Sequence, residues 1–283
     1  LPGSLDSIFT AINKPGISEQ KVGDFYASGM ATSTINQLGY NPIKPLLASI
    51  DSIRNIVSLL KFAASEAKRG NNSVLCFGVG PDNKNSNLNI AHAYQTGIGL
   101  PDRDYYFKSD PSTVGIQQAY KTYLSKLFTL TGNDSATASK YADIVYNIEM
   151  QIASSHKTRV ELRDVNANYN KMSLAQLTGR QPNIGWQNVL NDLGAKTDSI
   201  DVEQPAYYDK LNILLKSIPV NTVSTWAGKK EGCAVCIPFE GNDYYPTGTG
   251  EEVWTNLFTV SFVEVRAGMH PARPTVPGRK RRA

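Results

Sequence analysis

Cysteine, histidine and long apolar runs are scarce in this 283-residue sequence, and each scarcity excludes something. Cys76, Cys233 and Cys236 are an odd set, so they build no even disulfide framework and leave the redox compartment open. No stretch approaches the ~18 uninterrupted apolar residues that span a bilayer. The opening, LPGSLDSIFTAINKPG, lacks a basic region followed by an apolar run. A signal peptide is therefore expected to have been removed, to lie upstream, or never to have existed. A net charge of +4 is too small to point to nucleic acid or to an acidic partner. Gly78-Val79-Gly80 and Gly97-Ile98-Gly99 are too short for a phosphate-binding fingerprint, and no Gly-X-Ser-X-Gly occurs.

The three histidines, His92, His156 and His270, lie 64 and 114 residues apart. A hydrolytic zinc site of the HExxH kind needs two imidazoles one helical turn apart and a carboxylate between them. No pair here meets that spacing, so the histidines read as structural or solvated, and no residue is assigned as catalytic or as a metal ligand. Cys233-Ala234-Val235-Cys236 has the spacing of half a zinc knuckle. It lacks two further ligands at comparable spacing, and Pro238 opposes the helix that a redox pair needs.

What the sequence does contain is helical periodicity. Ile53, Ile56, Val57, Leu60 and Ala64 form one apolar stripe, with Lys61, Glu66 and Lys68 turned away. Ile116, Tyr120, Tyr123, Leu124 and Leu127 form a second, started by Asp110-Pro111-Ser112-Thr113. Tyr141, Ile144, Val145, Ile148 and Ile152 form a third, entered through Asp134-Ser135. Tyr207, Leu211, Leu214, Leu215 and Ile218 form a fourth, closed by Pro219. Steps of three and four residues are those of helices with one buried face. A shorter helix is expected from Glu19 to Met30. Ser73 to Gly80 and Asn87 to Gln95 alternate instead and flank the turn-forming PDNKNS, which predicts a β-hairpin. VNANYN, Val165 to Asn170, reads as a loop. The fold class is mainly α, a multi-helix lobe with one hairpin and an irregular tail. The coherent lobe is expected over 1–226. The tail, 227–283, carries seven glycines and five prolines without periodicity, and reads like a shifted reading frame or a fused foreign segment.

Four phrases, in one order, carry a resemblance. They are QKVGDFYASGMATSTINQLGYNPIKPLL, FGVGPDNKNSNLNIAHAYQTGIGLPDRDYYF, YNKMSLAQL and QPAYYDKLNILL. Together they resemble the N-terminal portion of the neprilysin and endothelin-converting-enzyme family of zinc metallopeptidases. The most distinctive part is GIGLPDRDYYF, whose signature residues are Gly97, Gly99, Pro101, Arg103, Asp104, Tyr105 and Tyr106. Arg103 is expected to hold neighbouring backbone or carboxylates, with Tyr105 and Tyr106 packed under it, because a guanidinium donates two parallel hydrogen bonds.

The resemblance implies a helical lobe that encloses oligopeptide substrates opposite a zinc-bearing lobe, in an extracytoplasmic protein. The family's zinc ligands have no counterpart in this sequence, so no cofactor is expected in the chain itself. The leading expectation is a truncated chamber lobe without peptidase activity, giving neither zinc binding nor peptide cleavage. The alternative is a non-catalytic peptide-binding or interaction module that docks on a separate catalytic lobe.

Overall fold

A computed structural model describes residues 30–217, together with Asp24 and Ser28. The helix expected over Glu19 to Met30 lies almost wholly outside these residues, as do Cys233, Cys236, His270 and the tail. The described residues fall into two compact units, divided between Ile43 and Lys44. In the first unit the described residues form helix α1, Thr32–Leu38, and a short 3-10 turn at Asn41–Ile43.

In the second unit the described residues form α2 (Lys44–Asp51), α3 (Ile56–Ala67), a hairpin of β1 (Cys76–Asp82) and β2 (Asn85–Tyr94), α4 (Asp104–Phe107), and the long pair α5 (Pro111–Leu130) and α6 (Ser135–Ala153). There follow α7 (Val165–Asn168), β3 (Lys171–Ser173), α8 (Leu174–Arg180), α9 (Trp186–Leu193), β4 (Ser199–Val202) and α10 (Pro205–Ser217).

The two long helices start where their caps dictate. The Asp110 carboxylate accepts the Thr113 N–H with Pro111 in the first turn, and the Asp134 carboxylate accepts the N–H groups of Ala136 and Thr137. Each cap satisfies amide donors that have no partner within the helix. Their inward faces bury Tyr120, Leu124, Leu127 and Phe128 from α5 and Val145, Ile148 and Ile152 from α6. Tyr207, Leu211, Leu214 and Leu215 of α10 are buried as their spacing predicts. Ile218 and Pro219, expected to close that helix, lie outside the described residues.

Helix α3 departs from its predicted stripe. It begins after Ile53, at an Asn55 cap completed by Ser58, and Val57 is 65% exposed. Leu59 and Ala63 are buried in its place, and so is Glu66, read from sequence as outward. Apolar residues occupy two overlapping sets of three- and four-residue steps here, and periodicity alone does not choose between them. Glu66 tolerates burial because Arg69 and Asn71 donate to its two oxygens at 2.6 and 2.8 Å.

The hairpin is half of a four-stranded sheet ordered β1-β2-β4-β3. β1 and β2 are antiparallel around a two-residue turn, with Asp82 opposite Asn85. β4 joins β2 in parallel, aligning His92 with Asp201, and β3 closes the far edge antiparallel to β4. Asp82 ties the hairpin tip to β3. It accepts from the Lys84 N–H and from Lys171 Nζ, both at 2.9 Å, and these donors hold its carboxyl down at about 2. The segment read as a loop at Val165–Asn170 contains the single turn α7, because the Asp164 side chain caps it by accepting the Ala167 N–H.

Candidate functional site

The phrase Gly97 to Phe107 runs from the end of β2 into α4, and its two glycines answer different demands. Gly97 has φ +85°, a left-handed conformation that disfavours any side chain. Gly99 lies against α5, where a Cβ would fall 1.9 Å from the Tyr120 hydroxyl oxygen. Behind Gly99 lies a buried polar knot. The Tyr106 hydroxyl accepts the N–H groups of Gly99 and Leu100, both at 3.0 Å, and donates to Glu149 Oε2 at 2.8 Å. Tyr120 donates to the other carboxylate oxygen at 3.0 Å.

Glu149 is 2% exposed, and burial raises its carboxyl to about 7 against the opposing pull of the two tyrosine donors. The Tyr106 and Tyr120 hydroxyls are pushed well up, first by burial and then by the nearby carboxylate.

Arg103 acts on a neighbouring carboxylate through its charge, which adds to the Thr158 hydrogen bonds that hold the Glu161 carboxyl low. It sits 5.7 Å from the Phe107 ring centroid, and its buried Nε has no hydrogen-bond partner. The ionic tie of the loop is the preceding residue. Asp102 accepts the Asp104 N–H at 2.9 Å and pairs with Arg159 Nε at 3.0 Å. Pro101 adds its carbonyl oxygen to a long contact with the same guanidinium, 3.5 Å from Nη2. Asp104 pairs with Lys108 on the surface at 3.3 Å, and the Tyr105 carbonyl accepts from Gln117 at 2.9 Å.

His156 lies close behind the loop, buried against Tyr207 with ring centroids 5.4 Å apart. Its Nε2 is 3.0 Å from the Thr96 carbonyl oxygen, which only accepts, so this nitrogen carries the proton. Burial holds the imidazole down at about 4, and Arg103 adds to that depression.

A second polar group is built by strand pairing. His92 and Asp201 are neighbours across β2 and β4, and Glu203 is two residues past Asp201, so all three side chains share one face of the sheet. His92 Nδ1 is 3.7 Å from Asp201 Oδ2 and 3.3 Å from Glu203 Oε1. His92 and Asp201 are 4% and 0% exposed. Burial raises the carboxyls of both Asp201 and Glu203. One ligand atom from each of the three falls within 4.8 Å of the others, the arrangement among the described residues with metal-ligating spacing. The sequence assigned no metal ligand, and His92 read with the other histidines as structural or solvated. His92 and His156 lie in separate clusters with different partners.

The profile of the N-terminal domain of peptidase family M13 matches residues 4–230. The chain belongs to peptidase family M13. Endothelin-converting enzyme 1 of Cavia porcellus is 30% identical over 145 residues, 51% of this chain and 19% of that enzyme. Human endothelin-converting enzyme-like 1 is 23% identical over 227 residues, 72% of this chain and 28% of the relative. Among solved structures, the zinc metalloprotease of Mycobacterium tuberculosis in its open state superposes with TM-score 0.69 at 28% identity, over 80% of this chain and 36% of its own. PepO of Lactobacillus rhamnosis, at 14% identity and TM-score 0.63, shares the fold. This M13 chain thus spans about a fifth to a third of the length of these relatives. The family is that of the neprilysin-like zinc metallopeptidases, and the matching portion is N-terminal and mainly helical.

Proposed function

We propose that residues 1–226 form the chamber lobe of a zinc metallopeptidase, which encloses oligopeptides beside a catalytic lobe, and that the 283 residues alone do not cleave peptides. The observation that carries this reading is the M13 N-terminal match over 4–230, combined with histidines that no helical turn brings together. The family's zinc needs two imidazoles one turn apart, and the residues of this chain do not fit it. Nothing in the geometry around the Gly97–Phe107 phrase offers a substitute. Tyr106 and Glu149 spend their hydrogen-bonding capacity on each other, on backbone amides and on Tyr120. On this reading the signature loop is a structural brace that fixes the chamber wall, and Gly97, Gly99, Pro101, Arg103, Asp104, Tyr105 and Tyr106 mark the family without touching the reacting atoms. An extracytoplasmic location accords with the resemblance, and no described helix is long and apolar enough to cross a membrane.

Exposed apolar side chains support a missing cover. Val160 and Val165 are 75% and 56% exposed near the 3-10 turn Glu161–Arg163, and Phe107 is 46% exposed at the end of α4. Such side chains are available for burial against a second body. The test is a cleavage assay on a library of quenched fluorescent oligopeptides with zinc supplied. No turnover is expected, and zinc-dependent turnover by the purified chain would sink the proposal.

A further inference from the structure

The imidazole of His92 has one nitrogen accounted for and one not. Nε2 lies 3.3 Å from the Pro81 carbonyl oxygen, and a carbonyl only accepts, so Nε2 carries a proton. Nδ1 then points, without a hydrogen-bond partner, at two carboxylates. Asp201 shows the same division. Its Oδ1 accepts the Asn170 N–H at 2.6 Å, while Oδ2 is buried and has no hydrogen-bond partner. With Nδ1 unprotonated, its lone pair faces that of Asp201 Oδ2 in a buried space, with a third supplied by Glu203. That is unfavourable unless something positive stands between them.

We infer that His92, Asp201 and Glu203 bind a divalent transition-metal ion of the zinc and cobalt class, through Nδ1, Oδ2 and Oε1. Several arguments meet here. In a tetrahedral site with bonds near 2.1 Å, neighbouring ligand atoms are separated by about 3.4 Å. The observed 3.3 and 3.7 Å straddle that value. The outer contacts are those of ligands held for a metal, with His donating its other N–H to a backbone carbonyl and the carboxylate fixed by a backbone amide.

Charge selects the occupant as well. With the imidazole neutral and both carboxylates ionised, the three groups sum to −2, which a divalent ion cancels. Lys171, opposite Asp201 across β3 and β4, is already paired with Asp82 at 2.9 Å. One imidazole with two carboxylates suits zinc and its neighbours better than calcium or magnesium, which take oxygen alone. Access is open on one side, since the Glu203 side chain is 19% exposed, and water completes the coordination from there. The site departs from the sequence-level expectation of no metal, and its role is to bind β4 to the hairpin.

The test uses the full chain stripped with chelator and titrated with Co²⁺, followed by visible absorption and by competition with Zn²⁺. One equivalent of Co²⁺ is expected to give d–d bands that Zn²⁺ displaces, with affinity falling at least tenfold in both His92→Gln and Glu203→Gln. A Cys233→Ser/Cys236→Ser/His270→Gln variant controls for ligands elsewhere and keeps the bands. Should His92→Gln unfold by circular dichroism, the more exposed Glu203→Gln decides alone. Absence of a bound equivalent of either metal overturns the assignment, as does Co²⁺ binding that Glu203→Gln leaves unchanged. Peptide turnover plays no part in this readout, so the proposed lack of peptidase activity stands or falls separately.

Discussion

The Tyr106 hydroxyl reaches the Glu149 carboxylate across 2.8 Å, forty-three residues along the chain, while accepting both amides of the Gly99–Leu100 bend. A hydroxyl with one hydrogen and two lone pairs has no capacity left. The loop conformation, α4 and α6 are thereby fixed to one another through a single atom.

Gly99→Ala is expected to lower stability by about 2–4 kcal/mol, because its Cβ meets the Tyr120 hydroxyl and has no route away from α5. The comparison is Gly115→Ala, inside α5 with open space around it, which should gain up to about 1 kcal/mol. Denaturant midpoints of the two variants check the contrast.

Glu149 gives stability a sign in pH. Its carboxyl rises from 4.5 to about 7 on folding, so the folded state holds the proton more tightly. This contribution is present below pH 4.5 and is lost as pH rises through 7, by about 3 kcal/mol in all. Glu149→Gln removes that dependence. The carbonyl accepts from Tyr106 and the amide donates to Tyr120. Relative to the parent, the variant should become more stable with each step from pH 5 to pH 8.

His156 acts with the opposite sign. Its imidazole falls from 6.5 to about 4 on folding, so stability is present above pH 6.5 and is lost as pH falls toward 4, again by about 3 kcal/mol. The two dependences offset each other between pH 4.5 and 6.5. His156→Gln should therefore uncover the Glu149 slope, with stability declining as pH rises. Arg103→Ala should raise the His156 pKa, read from its ring proton shifts by NMR, since Arg103 adds to the depression.

Tyr207 and Tyr208 carry α10 to the hairpin root. Tyr207 donates to the Val74 carbonyl at 2.6 Å and Tyr208 to the Tyr94 carbonyl at 3.0 Å. Phe at either position leaves a buried carbonyl short of a donor and should cost about 1–2 kcal/mol. Thermal melts of the two single variants measure it.

The long helices were legible because α5 and α6 state their beginnings in Asp110 and Asp134 and keep an apolar face over most of their length, although Ile116, counted in the α5 stripe, is 38% exposed. The hairpin was legible from alternation around a turn cluster. β3 and β4 were not, since three and four residues carry too little pattern to register. Glu149 held a readable clue, a charge at the inward position between Ile148 and Ile152, and Glu66 held the same clue in α3. The cluster at His92 held a fainter one in the alternation of Asp201 and Glu203. Its meaning needs the pairing of β2 with β4, and no local signal specifies a partner so distant. Arg103 acts through its charge on Glu161 and His156. Its side-chain chemistry invited a bidentate role, while the ionic tie went to Asp102 because Arg159 approaches from that side.

The parallel pairing of β2 with β4 also sets an order of events on the ribosome. The Gln95 amide waits for the side chain of Gln204, 109 residues later, and the inner strand of the hairpin has an open edge until β4 emerges. Pairing across such a span closes slowly, and an open strand edge invites the wrong neighbour. A nascent chain stalled before residue 199 would thus display an open edge at Ala91 to Ala93, on a strand already paired with β1 along its other side.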